Sequence, residues 1–350
     1  MSRLLPSLAL TALSLALTAC GGGGASDTSS SGSPANSGVA TNSGSPATTN
    51  NSSSSNPPPG TLVAKSDVSL FPAPGIAAAT YASSGNATTD ALAYTNYQRQ
   101  QLGLPALSYQ ASVAQAALNH ANYMANNNVF GHGETVGVPG YTGAAPYDRI
   151  NSLYPTYATG EVIANFGSTS TAFTSDQLIK QLFNAPFHRN LMLRDYVKAG
   201  AGYATSTQGS WHYHYLDLDM ADMHVVVPNN QVVAYPYSGQ AGVPTGWVDD
   251  ESPDPMPGYA GKTVGYPITL QSSNGGVIDV QQFSLVDNTS QTVSCNMVDH
   301  KVNAEADQLA ICTPYAALKA KTTYTVTVVG TVTRSGVVAN FNISWSFTTA

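Results

Sequence analysis

The chemistry available to this 350-residue chain lies in seven histidines and the few acids that could pair with them. His132 stands in Phe130-Gly131-His132, Glu161 in Thr159-Gly160-Glu161-Val162, and His188 in Pro186-Phe187-His188-Arg189. Two imidazoles and a carboxylate suit a divalent ion with an open coordination position, Zn²⁺ or another. They equally suit a buried hydrogen-bonded cluster. No local geometry links positions so far apart, so the fold must bring them together. His212 and His214, two apart on an expected strand, share a face; His214 and Arg189 are weaker candidates for the same site. His120, beside the apolar stripe of a helix, reads as structural. The strings Gly-x-Ser-x-Gly, His-Glu-x-x-His and Gly-x-x-x-x-Gly-Lys are absent. His132-Gly133-Glu134 has the His-x-Glu spacing of zinc deaminases but lacks their Pro-Cys-x-x-Cys partner. No catalytic residue is assigned on these grounds.

The elements that must position these residues fall into two groups. Asp90 to Leu102 predicts a helix with Thr88 or Thr89 as N-cap and Gly103 as its stop. Tyr109 to Asn126 carries Ala114, Ala117, Leu118, Ala121, Met124 and Ala125 at helical spacing. Ser175 to Asn184 predicts a third helix, and Val197–Tyr203 and Trp211–Leu218 predict strands. From Gly265 the period changes to two, with runs at 267–271, 277–286, 292–298, 309–313, 322–332 and 338–348. That spacing of short strands predicts a β-sandwich. Residues 228–262, rich in Pro, Gly and acid, are expected to link the two parts. Their run Asp249-Asp250-Glu251-Ser252-Pro253-Asp254 reads as solvated rather than calcium-binding.

Composition narrows the function classes. Only 9% of residues are charged and the net charge is −7, where soluble chains carry about 25% charged residues. Such a chain lacks the Lys/Arg footprint of nucleic-acid binding. At the N-terminus, Arg3 precedes an apolar run from Leu4 to Leu17 that is short for a membrane span and fits the core of an export signal. The run ends Leu17-Thr18-Ala19-Cys20, similar to a bacterial lipobox, which marks Cys20 for lipidation and residues 1–20 for removal as a signal. Residues 21–80, dominated at first by Gly, Ser, Asn, Thr and Pro, predict a disordered tether; about 40 such residues span roughly 35 Å. Gly21 after the cysteine implies the outer membrane or cell surface. The remaining Cys295 and Cys312, in an oxidising compartment, are expected to form a disulfide.

The order of short motifs carries a resemblance. Asn96-x-x-Arg99-x-x-x-Gly103-Leu104-x-x-Leu107 is followed by Ala117-x-x-His120-Ala121-x-x-Met124-Ala125 and Phe130-x-His132. Then come Gly160-Glu161, Asn184-Ala185-Pro186-Phe187-His188-Arg189-Asn190-Leu191-Met192, and Gly200-Ala201-Gly202. The sequence resembles the CAP superfamily (cysteine-rich secretory, antigen 5 and pathogenesis-related 1 proteins; the SCP domain). The resemblance implies an α-β-α sandwich over residues 85–227; with the strand-rich part after it, read as an Ig-like sandwich over 263–350, the chain is expected to be α+β. It implies a cleft with two His and usually two Glu, of which His132, Glu161 and His188 match three. The second Glu is missing, Leu182 stands where the family has tryptophan, and Val162 replaces the Asn after the Glu. Some members bind zinc or other divalent ions; several bind sterols or fatty acids.

The expected function is therefore a membrane-anchored binding protein of the cell envelope, with a lipid or small apolar ligand and no nucleic acid. A metal-dependent hydrolase and an adhesion module are the alternatives. Expression of Cys20→Ser should release the protein from membranes and abolish lipid attachment, as read by mass spectrometry and detergent partitioning.

Overall fold

The computed structural model describes residues 15–20 (backbone only), 66–71 and 80–350. The expected signal residues 1–14, the tether over 21–65 and residues 72–79 lie outside the described residues, as does the side chain of Cys20. The helices are α1 (Ala87–Gln101), α2 (Ala111–Asn127), α3 (Pro146–Leu153), α4 (Gln177–Asn184) and α5 (Pro186–Leu193). The first sheet holds β1 (Leu15–Cys20), β3 (Ser108–Tyr109), β4 (Thr159–Ser168), β5 (Tyr196–Gln208) and β6 (Trp211–Met223), in the order β1-β4-β6-β5-β3.

Alternation along this sheet decides what each face carries. Val162, Ala164, Leu216, Leu218, Ala199 and Ala201 point one way, into a core shared with Leu178, Ile179, Leu182 and Phe183 of α4. Ile163, Tyr215 and Ala204 point the other way, against Ala121, Met124 and Ala125 of α2. Ile150 of α3 joins Val113 and Ala116 of α2 on that side. The result is the expected α-β-α sandwich, with the sheet between helical layers.

Helix ends follow local chemistry. Asn86, rather than Thr88 or Thr89, caps α1 by accepting from the Thr89 amide. Gly103, φ +77°, supplies the left-handed stop. Pro186, beyond the end of α4, occupies the first turn of α5, where its missing N–H costs no hydrogen bond.

The second part is a β-sandwich. One sheet runs β13-β14-β10-β7-β2 and the other β12-β11-β15-β16. The first contains β2 (Ser69–Leu70), β7 (Gln231–Tyr235), β10 (Ile268–Ser272), β13 (Cys295–Val298) and β14 (Leu309–Pro314). The second contains β11 (Gly276–Asp287), β12 (Thr292–Val293), β15 (Thr323–Arg334) and β16 (Val337–Thr348). A two-stranded ribbon, β8 (Gly246–Val248) with β9 (Thr263–Gly265), completes the strands. Tyr324, Val326 and Val328 stand opposite Phe347, Trp345 and Ile343, and all six are buried. Cys295 and Cys312 are bonded and tie β13 to β14.

Two expected boundaries are corrected. Residues 228–262 are not a free linker: β7 lies inside the sheet between β10 and β2. Its run Gln-Val-Val-Ala-Tyr is too short for a clear period, and its apolar residues are buried on both faces. The tether expected over 21–80 ends early, because Val68 is buried and Ser69–Leu70 pair with Gln231–Val232.

At two glycines of β5, α2 lies almost on the first sheet. A Cβ on Gly200 would sit 2.2 Å from the Ala114 nitrogen, and one on Gly202 would sit 2.2 Å from the Ala117 carbonyl carbon. Gly202→Ala should therefore lower the unfolding free energy by about 1–3 kcal/mol or more. Urea denaturation should show the midpoint shift, while Gly239→Ala, in open space at φ +82°, should cost about 1 kcal/mol through backbone strain alone.

Candidate functional site

The face of the sheet under α2 is acidic. Glu161 of β4 stands opposite Asp219 of β6, and Asp217, two residues back, shares its face. Gly200 and Gly202 lie across from Asp219 and Asp217 on β5. These glycines let α2 descend until His120 is fully buried against the same face.

Arg149 of α3 and the loop after α2 enclose the cluster. The Arg149 guanidinium donates to Glu161 Oε2 at 2.5 Å and to the His132 carbonyl at 2.8 Å. His132 Nδ1 lies 2.6 Å from Glu161 Oε1. His120 places Nδ1 2.9 Å from Glu134 Oε1 and Nε2 2.9 Å from the Gly131 carbonyl. Glu134 also accepts from the Thr142 amide at 2.6 Å.

Burial by itself would raise the Glu161 carboxyl. The His132 hydrogen bond and the Arg149 charge outweigh it and hold the group at about 2. For Glu134, burial is likewise outweighed, by His120, the Thr142 amide and Arg149. Asp217 and Asp219 go the other way. Burial, then the neighbouring carboxylates, push both well above the carboxylate range. None of their four oxygens has a hydrogen-bond partner.

His120, Glu161 and Asp217 bring potential ligand atoms within 4.8 Å of one another. They do not form a ready ligand set. Both His120 nitrogens are already engaged, Nδ1 by Glu134 and Nε2 by the Gly131 carbonyl. Both Glu161 oxygens are taken by Arg149 and His132. This cluster reads as a charge-compensated network that fastens α2, α3 and the loop between them to the sheet.

His188 is held from a different quarter. It is the third residue of α5, fully buried. Its backbone N–H donates to Glu251 Oε1 at 2.8 Å, and its Nδ1 lies 2.6 Å from the same oxygen. A carboxylate there also meets the positive end of the α5 dipole. His132–Glu161 and His188–Glu251 are thus two copies of one arrangement. In each, Nδ1 rests on a buried glutamate and Nε2 is buried without a partner. Nδ1–H donating to a carboxylate fixes the tautomer that leaves the Nε2 lone pair free, as in metal-bound histidines. α5 packs against β4 with Leu191 and Met192 in the core that holds Val162 and Ala164, and among the described residues His132 and His188 do not fall in one group of three close ligand atoms.

Residues 92–217 match the family model described as the Cysteine-rich secretory protein family, CAP. The chain carries a CAP domain. Among solved structures, an outer surface protein from Borrelia burgdorferi is similar over 37% of this chain and 88% of its own, at 16% identity and TM-score 0.30. An extracellular SCP-domain protein from Bacillus anthracis str. Ames is similar over 37% of this chain and 39% of its own, at 21% identity and TM-score 0.26. No curated protein matches the chain.

The glutamate that the CAP resemblance leaves missing has a counterpart in position on His188: Glu251, 34 residues beyond the matched segment. By sequence it falls in an acidic run that reads as solvated, and spacing offers no signal to find it. The same run is buried at Asp249 as well as Glu251, which corrects that reading. Arg189 and His214 do not join the His–Glu couples. Arg189 is fully buried and binds the sandwich: it donates to the Pro267 carbonyl at 2.8 Å and lies 4.8 Å from the Tyr235 ring centre. His214 points to the sheet face opposite Glu161, since residues 214 and 217 differ in parity along β6, and stacks on Phe173 at 3.9 Å.

Burial, then Asp254, Glu251 and Asp250, push the Asp249 carboxyl up to about 7. A carboxyl raised in the fold favours the folded state below its ordinary value near 3.8, and that advantage is lost as pH rises toward 7. Asp249→Asn should match the wild type in thermal midpoint at pH 3.5 and exceed it at pH 8, in melts recorded across pH.

Proposed function

We propose that this protein is an exported, membrane-anchored CAP-domain protein of the cell envelope that binds a ligand, with His132 and His188 as its candidate residues for a divalent cation. The observation that carries the reading is the pair of matched His–Glu couples, each leaving one buried Nε2 without a partner. Two imidazole nitrogens backed by carboxylates suit Zn²⁺ or a similar borderline ion, with further positions open to water or ligand. The bound ion would supply Lewis acidity and a fixed positive charge in the cleft. Glu161 and Glu251 orient the rings, and Arg149 keeps Glu161 ionised. The N-terminal residues through Cys20 support export and anchoring.

Zinc titration of the purified soluble protein by calorimetry tests the reading. One equivalent should bind, His132→Ala and His188→Ala should each abolish it, and Glu251→Gln should weaken it about 10–100-fold. Equal binding by wild type and His188→Ala overturns it.

A further inference from the structure

The opposite face of the sheet holds a second feature that the His–Glu couples do not use. An open cavity of about 460 Å³ lies between the start of α1, the segment before α4 and β5. It falls within the size range of small-molecule sites, about 300–1,000 Å³. Its walls include Ser83, Ser84, Phe173, Thr174, Ser175 and Tyr203, and no charged side chain lines it.

One wall is a fixed aromatic stack. Phe173 lies face to face with His214, ring centres 3.9 Å apart and planes 8° apart. Tyr203 lies nearly parallel to Phe173 at 6.0 Å and 17°. The Tyr203 hydroxyl is 2.5 Å from His214 Nδ1, so the rings are locked by both stacking and a hydrogen bond. The stack stands on cross-strand neighbours: His214 is opposite Phe166 on β4 and Thr205 on β5, and Tyr203 is two residues before Thr205.

The lining also carries three serine hydroxyls, of Ser83, Ser84 and Ser175. Asp90, fully buried, accepts from the Ser83 hydroxyl at 2.7 Å, from the Ser84 amide at 2.7 Å and from the Ser175 hydroxyl. The Ser83 and Ser175 hydroxyls are also 2.8 Å apart and bonded to each other, and the Ser84 oxygen accepts from the Asn86 amide at 3.2 Å. Each of these oxygens keeps lone-pair capacity, and each hydroxyl can turn to donate or accept. Asp90 stays ionised behind these serines, its burial outweighed by the bonds from Ser175, Ser84 and Ser83, so an organic cation is the competing occupant. An anion would find no basic group.

We propose that this cavity binds a neutral saccharide, a pyranose ring with its C–H face on Phe173 and Tyr203 and its hydroxyl edge on the serines. Adjacent sugar hydroxyls each donate and accept, which matches serine hydroxyls that can do the same. The apolar face of the ring matches a rigid aromatic surface that loses no side-chain freedom on binding. The site is independent of the cation reading, because it lies across the sheet and shares no residue with it.

The test uses the soluble protein without added metal and three probes: cellotetraose, tetra-N-acetylchitotetraose and choline chloride. Saturation-transfer NMR should show saturable binding of at least one saccharide in the millimolar range or tighter. Phe173→Ala should weaken it at least tenfold. Because Phe173 also packs on His214, Thr174→Trp, at an exposed position on the rim, serves as the second variant and should block binding with no change in melting temperature. Absence of saturable binding by both saccharides overturns the proposal. So does saccharide binding that survives Thr174→Trp, or binding of choline in their place.

Discussion

Arg149 is the charge on which one half of the CAP domain depends. It is buried among Glu134, Glu161, Asp217 and Asp219, and its two amino groups reach a carboxylate and two loop carbonyls. A buried carboxylate without such a partner costs several kcal/mol, and removing one member of a buried pair typically costs about 3–5 kcal/mol. The cluster is therefore an all-or-none construction. Glu161 can stay ionised and hold His132 only while Arg149 is in place. Asp217 and Asp219, which gain less from that cation, respond by favouring their uncharged form. The two glycines of β5 are the geometric condition for this chemistry, since any larger residue would lift α2 and His120 off the acids.

The second organising contact joins the two halves of the chain through consecutive residues. His188 takes Glu251, and Arg189 takes the Pro267 carbonyl and the faces of Tyr235 and Tyr266. Phe187 packs with Val298, Leu309 and Ile311 of the sandwich, and Phe183 meets Tyr235 edge-on at 5.1 Å. One short helix thus presents three different chemistries to the other domain: a histidine–carboxylate hydrogen bond, a cation–π contact and an apolar plug. The core runs through the junction without a break.

Much of this is legible in the residues, for identifiable reasons. α2 is readable because alanines and one methionine repeat at helical spacing over seventeen residues. β15 and β16 are readable because one face is buried and the other is polar, giving strict alternation. β4 gives no such signal: it is buried on both faces, so alternation disappears. β7 is hidden for the same reason, compounded by its position beside a Pro- and Gly-rich stretch. At the site, motif order points to His132 and Glu161, and the structure joins them directly. Glu251 is invisible in the sequence because nothing local distinguishes an acid that caps a distant helix from one that faces water; only the packing of the sandwich against α5 makes the difference. The spacing of His214 from His212 misleads because it ignores the strand's parity relative to Glu161.

The contact between His188 and Glu251 bears on how such a domain can be inherited. Residues 92–217 are the unit that is recognisable as CAP, yet the acceptor for the His188 ring and backbone lies outside them. Recombination that moved this unit alone into another gene would carry a histidine stripped of its counterpart. Here the heritable module is longer than the recognisable one, and the acidic stretch after β7 must travel with it.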